Sequence, residues 1–308
     1  MDGIINIYKE AGFTSFDVVA KLRGILREKK IGHTGTLDPQ ATGVLPVCIG
    51  HATKVCELLT DKDKEYEAVL CLGIKTDTQD ATGQILSDRS EKVASLSEEQ
   101  VRDAILSFIG EYDQIPPMYS ALKVGGKKLC DLAREGIEVE RKARRVKIFD
   151  IEILQMSLPE IKIRVHCSKG TYIRTLCEDI GELLGVGGMM KKLVRTRVSH
   201  FTLDNAFTLE QVEMYRDKGE LMEILQPIDT VFLQYPSMHV REIEYAQKKL
   251  KNGNRLEMSD FMEQIQKEEL QQGQPIRVYD AQNCFYGIYV YDEIRSDFKC
   301  KKMMIRLS

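Results

Sequence analysis

The stretch Gly32-His33-Thr34-Gly35-Thr36-Leu37-Asp38-Pro39-Gln40-Ala41-Thr42-Gly43-Val44-Leu45-Pro46 decides how the rest of the chain is read. Its three glycines and two prolines can continue neither a helix nor a regular strand, so the backbone here is a shaped loop. Asp38 is its one carboxylate, set among His33 and three threonines. Pro39 biases Asp38 toward an extended conformation. An isolated Asp-Pro would be read as an Asx-type turn, but glycines at this density let a ligand approach the backbone closely. A phosphate-cradling loop is the competitor, yet neither a Gly-Lys-Ser/Thr ending nor a G-x-G-x-x-G run is present. Spacing alone stops at a ligand-facing loop.

Around this loop lie 308 residues, 43% hydrophobic and 30% charged, enough for one large domain and a smaller one. No apolar run approaches the roughly 18 residues a membrane span needs, and the N-terminus lacks the pattern of a secretory signal. A cytoplasmic protein is expected. The eight cysteines are scattered without C-x-x-C pairs or metal spacing, which predicts reduced, mostly buried thiols and no metal site. The net charge of -3 argues against a general nucleic-acid coat. It is unevenly spread: residues 115–200 carry 17 Lys and Arg against 10 Asp and Glu, whereas residues 58–114 carry 6 against 13. One basic face could follow a phosphate backbone.

Periodicity supplies the elements. Gly3 to Tyr8 reads as a strand. A helix capped by Thr14 or Ser15 runs to about Lys30 with Val18, Leu22, Ile25 and Leu26 at helical spacing. Tyr66, Ala68, Leu70 and Leu72 alternate as a strand does, as do Val146 to Ile153 and Ile161 to Cys167. Capping boxes open helices at Ser97 and Thr208. A helix from about Thr171 to Leu184 sets Ile173, Leu176, Ile180 and Leu183 on one side. Beyond Pro227 to Pro236 come a helix (Glu242 to Leu250), a turn at residues 251–254, and strands at Ile276 to Tyr279, Phe285 to Tyr291 and Lys302 to Leu307. Strands interleaved irregularly with helices favour a mixed α+β fold over alternating βαβ units.

At this point several blocks agree in order. The glycine loop resembles the catalytic motif of the TruB family, the tRNA pseudouridine-55 synthases. Lys64-Glu65-Tyr66-Glu67-Ala68, with Gly73 to Gly83, resembles that family's tyrosine motif. Gln114 to Lys123 resembles the start of its RNA-clasping loop, and Ser168-Lys169-Gly170-Thr171-Tyr172-Ile173-Arg174 its arginine motif. Two departures stand out: Glu10 follows Lys9 where proline is usual, and Cys130 replaces a usual tyrosine.

The resemblance implies a mainly antiparallel central sheet flanked by helices over residues 1–232, with an RNA-clasping insertion at about 115–145. A small β-rich PUA-like RNA-binding domain would follow at 233–308. It implies conversion of uridine 55 in the tRNA T-loop to pseudouridine, with no cofactor. Asp38 would be the catalytic carboxylate, as nucleophile or as base. Arg174 would pair with it and Tyr66 would stack on the uracil. Read alone, Tyr66 is a strand aromatic and Arg174 a helix charge. His33 would fill the space left by the flipped base, Asp80 would organise the site or cap a turn, and Leu193 would form an apolar wall. Tyr172 and Lys64 would support the substrate, while Lys123, Lys127, Lys128, Arg141, Arg144 and Arg145 would meet phosphates. The expected partner is the tRNA T-stem-loop, met by a monomer without membrane or obligate protein partner. Two rivals are an RNA-binding protein without catalysis and a glycoside hydrolase using Asp38 with Asp80.

Overall fold

The computed structural model describes residues 1–263 and 270–305. Strand β1 (Gly3–Lys9) leads into helix α1 (Ser15–Leu26), and β2 (Ile31–His33) and β3 (Thr42–Ile49) bracket the glycine loop. Helix α2 (Cys56–Thr60), strand β4 (Lys64–Leu72), the hairpin β5 (Ile74–Thr76) and β6 (Ile85–Asp88), and helices α3 (Ser90–Val93) and α4 (Glu98–Leu106) follow. After β7 (Gly110–Gln114) the chain departs into the ribbon β8 (Lys123–Val124) and β9 (Lys127–Lys128) with helix α5 (Leu129–Arg134). It returns as β10 (Arg144–Ser157), β11 (Glu160–Cys167), α6 (Ile173–Leu183), β12 (Gly188–Val198), β13 (Phe201–Thr202), α7 (Leu209–Lys218) and α8 (Leu221–Ile224). The C-terminal region holds β14 (Ser237–His239), α9 (Glu244–Lys251), β15 (Leu256–Glu257), β16 (Pro275–Tyr279), β17 (Phe285–Asp292) and β18 (Asp297–Met303).

The main sheet runs β1-β3-β12-β4-β11-β10-β7, with β2 beside β3 and β13 beside β12. Its pairs are antiparallel except β12 on β3, so the expected α+β class with a mainly antiparallel sheet is what the chain adopts. A second sheet, β14-β16-β17-β18-β15, closes the C-terminal region. Both faces of β11 fall as its alternation predicts. Ile161, Ile163, Val165 and Cys167 of β11 are fully buried, each apolar side chain contributing about 1.5–3 kcal/mol. Arg164 on the opposite face pairs with Glu67 and Glu152, and His166 meets Asp63.

The inner face packs on α4 and α6 around Tyr66, Leu70, Ile105, Leu176 and Ile180. On the other flank, α1 and α7 cover β1 and β3 through Val18, Leu22 and Val212. Ile288 and Met304 of the C-terminal region pack into a cluster with Ile4 and Val44. Among the described residues no helix is long and apolar enough to cross a membrane.

Several boundaries differ from expectation. Helix α1 stops at Leu26 because Arg27 takes a left-handed cap with φ 51°, short of Lys30. Leu183 is 60% exposed. At about 100° per residue it lies at the rim of the stripe, which Cys177 and Leu184 complete instead. The last strand is Asp297–Met303 rather than Lys302 to Leu307; residues 306 and 307 lie outside the described residues. The eight thiols are free, but only Cys48, Cys71, Cys167 and Cys177 are buried, half rather than most.

Candidate active site

Asp38 sits in the loop between β2 and β3, and its shape has identifiable causes. Gly43 opens β3 at φ +106°, where a Cβ would lie 2.2 Å from the Arg195 carbonyl oxygen, so only glycine lets β3 meet β12 there. The Ser15 hydroxyl accepts the Leu37 N–H at 2.9 Å, and the Ala41 N–H returns to the Asp38 carbonyl at 3.1 Å. Two buried cations complete the frame. Lys9, 0% exposed at the end of β1, donates through Nζ to the carbonyls of Glu10, Pro39 and Ala41 at 3.0, 3.0 and 2.6 Å. Arg195, also 0% exposed, donates from β12 to the carbonyls of Val44 at 2.7 Å and Gly35 at 3.2 Å.

Sequence reasoning passed over both as structural groups. The signal was available: strand alternation places Lys9 in phase with Ile5 and Ile7, and Arg195 in phase with Leu193. A charge in phase with a buried face needs a partner, and the loop carbonyls are that partner.

Arg174 projects from the first turn of α6 and is 4% exposed. Its Nε meets Asp38 Oδ2 at 2.9 Å and its Nη2 donates to Asp38 Oδ1 at 3.1 Å, a two-pronged pair. The same guanidinium donates to the carbonyls of Thr78 at 3.0 Å and Tyr119 at 2.8 Å. One side chain thus joins the Asp38 loop, the turn after β5 and the insertion after β7. Helix α6 can sit this close because Gly181 faces the turn into β12, where a Cβ would be 2.2 Å from backbone atoms of Gly187 and Gly188.

Asp80 lies beyond, its Oδ2 4.0 Å from Arg174 Nε. Its Oδ1 accepts from Thr78 Oγ1, the Thr82 N–H and Thr82 Oγ1 at 2.8, 2.9 and 2.6 Å. These bonds cap the turn at residues 78–82, as the second of the two alternatives for Asp80 expects. The Asp38 side chain stays 34% exposed while its arginine is enclosed, so the carboxylate faces outward from a fixed base. Desolvation raises its pKa above the ordinary carboxylate value, the Arg174 charge opposes this, and the Asp80 charge adds to it.

Tyr66 of β4 is buried in the same apolar cluster as Leu37, Ala41 and Leu193, and stands opposite Arg195 in register. Burial pushes its phenol up to about 12 against the pull of Arg195. His33 accepts the Gly35 N–H on Nδ1 at 3.3 Å, and burial first, then Arg195, lowers its pKa. Tyr172 caps α6. Lys64 is buried, and its Nζ donates to the carbonyls of Thr60 and Lys62 at 2.9 and 2.7 Å. In the insertion Lys123, Lys127 and Lys128 are exposed, Lys127 lying 3.4 Å from Glu135. Arg145 is forked onto Asp113 at 2.8 and 2.9 Å, and Arg141 donates to the Pro116 carbonyl at 3.1 Å, so both have structural partners already.

Two family models match in succession: the TruB family pseudouridylate synthase N-terminal domain over residues 23–173, and the tRNA pseudouridylate synthase B C-terminal domain over residues 174–233. The chain belongs to the TruB family. Asp38 falls in the first matched segment, and Arg174 is the first residue of the second. This TruB-family chain is 51% identical to the tRNA pseudouridine synthase B of Lachnoclostridium phytofermentans, over 99% of this chain and all of that one. Identity to the protein of the same name from Clostridium tetani is 41%, over the same shares. Among solved structures it resembles a Cbf5-Nop10-Gar1 complex, with a TM-score of 0.72 at 25% identity over 99% of this chain and 85% of that one. The fold also matches an H/ACA ribonucleoprotein bound to substrate RNA, at a TM-score of 0.71 and 23% identity over 99% of this chain and 86% of that one. The chain is therefore a pseudouridine synthase, an isomerase.

Proposed function

We propose that this enzyme isomerises uridine 55 in the T-loop of tRNA, with Asp38 as its catalytic carboxylate. The observation that carries this reading is the two-pronged clamp of enclosed Arg174 on a carboxylate that remains open to solvent. The clamp aims Asp38, and the Arg174 charge favours its ionised form against the desolvation that raises its pKa, while its exposed side is free to meet a sugar. Pseudouridine formation breaks the C1′–N1 bond and joins C1′ to C5; N1 gains a proton and C5 loses one. An ionised carboxylate serves at C1′, as nucleophile or as base on the sugar. Tyr66, below the site with a phenol that stays protonated, offers a flat apolar face for uracil, backed by Leu193.

A base inside a folded loop has to leave its stack to reach this depth, at a cost of a few kcal/mol. Neutral His33, on the rim of the same loop, suits the vacated space. The exposed lysines 123, 127 and 128 suit phosphates. Residues 233–308 would act as an accessory RNA-binding unit of PUA type, and the single chain, working in the cytoplasm, would suffice without cofactor. A hydrolase pairing Asp38 with Asp80 fits less well, because one Asp80 oxygen is committed to threonine donors and the other faces Arg174 at 4.0 Å.

Mapping pseudouridine by carbodiimide modification and primer extension, in an unmodified tRNA transcript treated with the purified chain alone, tests this. A single new stop, one nucleotide 3′ of position 55, is expected. Modification elsewhere, or none without an added protein, would overturn the assignment of substrate or of self-sufficiency.

A further inference from the structure

Helix α6 begins without a side-chain cap: Tyr172 at its N-cap makes no such bond. This is the helix end that carries Arg174, two residues on. The backbone of the N-cap residue itself is anchored by Gln114, the last residue of β7, which is 1% exposed. Its Oε1 accepts the Tyr172 N–H at 2.8 Å, and its Nε2 donates to the Tyr172 carbonyl at 3.0 Å. Its second Nε2 proton goes to the Tyr112 phenol oxygen. The side-chain amide thus pairs with both backbone groups of Tyr172 as a neighbouring strand would, and every polar site of the amide that faces the interior is used.

We propose that Gln114 is a positioning residue for the isomerisation, holding the start of α6 so that Arg174 meets Asp38 with both prongs. The inference rests on the reading of Asp38 and Arg174 as the reacting centre. Gln114 immediately precedes the insertion at 115–145, and Arg174 Nη2 donates to the Tyr119 carbonyl of that same insertion. The base of the RNA-clasping segment is therefore tied to the centre twice, once through Gln114 and Tyr172 and once through Tyr119 and Arg174. A displacement of the helix start by an ångström would pull a single prong off the carboxylate without removing any group that touches RNA. The loss would fall on the chemical step rather than on binding.

The test compares Gln114→Ala and Gln114→Glu with the wild type, reading single-turnover tritium release from a C5-labelled T-loop RNA and, separately, RNA affinity by filter binding. Gln114→Ala is expected to lose about 10- to 100-fold in rate with affinity within about twofold of wild type, about 0.4 kcal/mol. Gln114→Glu keeps the shape. As a carboxylate it repels the Tyr172 carbonyl; as a neutral acid it has one O–H to donate to that carbonyl and an oxygen to accept the Tyr172 N–H, restoring the Tyr172 pair though not the second donor bond to Tyr112. Its rate relative to wild type should therefore climb as pH falls.

The charged and ionisable neighbours are Arg144, opposite Gln114 in register on β10, the Tyr112 and Tyr172 phenols and the Cys167 and Cys177 thiols, all raised by burial, and Asp179 on α6, raised to about 6 by burial and by Glu178 and Glu182. All are present in wild type too, so the ratio removes them. A Gln114→Ala enzyme at wild-type rate, or a Glu-to-wild-type ratio flat across pH, would overturn the proposal. Should Gln114→Ala fail to fold by circular dichroism, the pH profile of Gln114→Glu decides alone. An Asp38→Asn control separates the two readings: if that variant keeps activity, the centre itself is misassigned.

Discussion

Replacing Arg174 with lysine keeps the charge and removes the geometry, which makes it a sharp perturbation of the site. The guanidinium makes two contacts to Asp38 and donates to the carbonyls of Thr78 and Tyr119. A single ammonium on a shorter reach can serve one carboxylate oxygen and one carbonyl, leaving two enclosed acceptors unserved. Each such bond is worth about 1.5–3 kcal/mol, so about 3–6 kcal/mol is lost in all. If half of that falls on the transition state, the rate drops by about 10- to 100-fold. The pH profile adds an independent readout. Burial already raises the Asp38 pKa and Arg174 restrains the rise. The ionised carboxylate is the working form, so activity is lost as pH falls through that pKa. With the restraint weakened, the acid limb should move to higher pH in Arg174→Lys. Single-turnover tritium release across pH, with RNA affinity measured alongside, reads both effects. A variant within twofold of wild type, with its acid limb unmoved, would refute the role given to the clamp.

Asp80→Asn should shift the same limb the other way, to lower pH, because the Asp80 charge raises the Asp38 pKa; an unmoved limb in the same assay would count against the coupling. Lys9→Met strands two loop carbonyls and that of Glu10, and urea unfolding should show a loss of about 2–4 kcal/mol together with weakened activity; unchanged stability would mean the loop is held by other means. The double variant Lys123→Ala/Lys128→Ala should bind RNA more weakly with a salt slope shallower by about one to two units, whereas an unchanged slope would place the phosphates elsewhere.

How much of this is legible in the sequence differs from residue to residue. The β11 alternation is readable because its sheet has one apolar and one charged face, and period-two patterning reports that directly. Asp38, Tyr66 and Arg174 can be named only through family resemblance. Nothing in spacing reveals that a helix residue reaches back 136 positions to a loop carboxylate. Lys9 and Arg195 escape notice for the opposite reason. Charge reads as a sign of surface, although their strand phase marks them as buried. Lys64 is read from its place in a family motif, and its carbonyl partners Thr60 and Lys62 are supplied only by the fold. Gln114 lies within the clasp motif, but its pairing with Tyr172 depends on where β7 ends against α6, which only the fold supplies.

The most direct test of the account is Asp38→Asn against wild type in single-turnover tritium release from C5-labelled T-loop RNA, at RNA-saturating enzyme. The substitution keeps shape and hydrogen-bonding reach while removing the charge. The account requires release by the wild type, none above background by the variant, and RNA binding by both. Release by Asp38→Asn at a rate approaching wild type would contradict it.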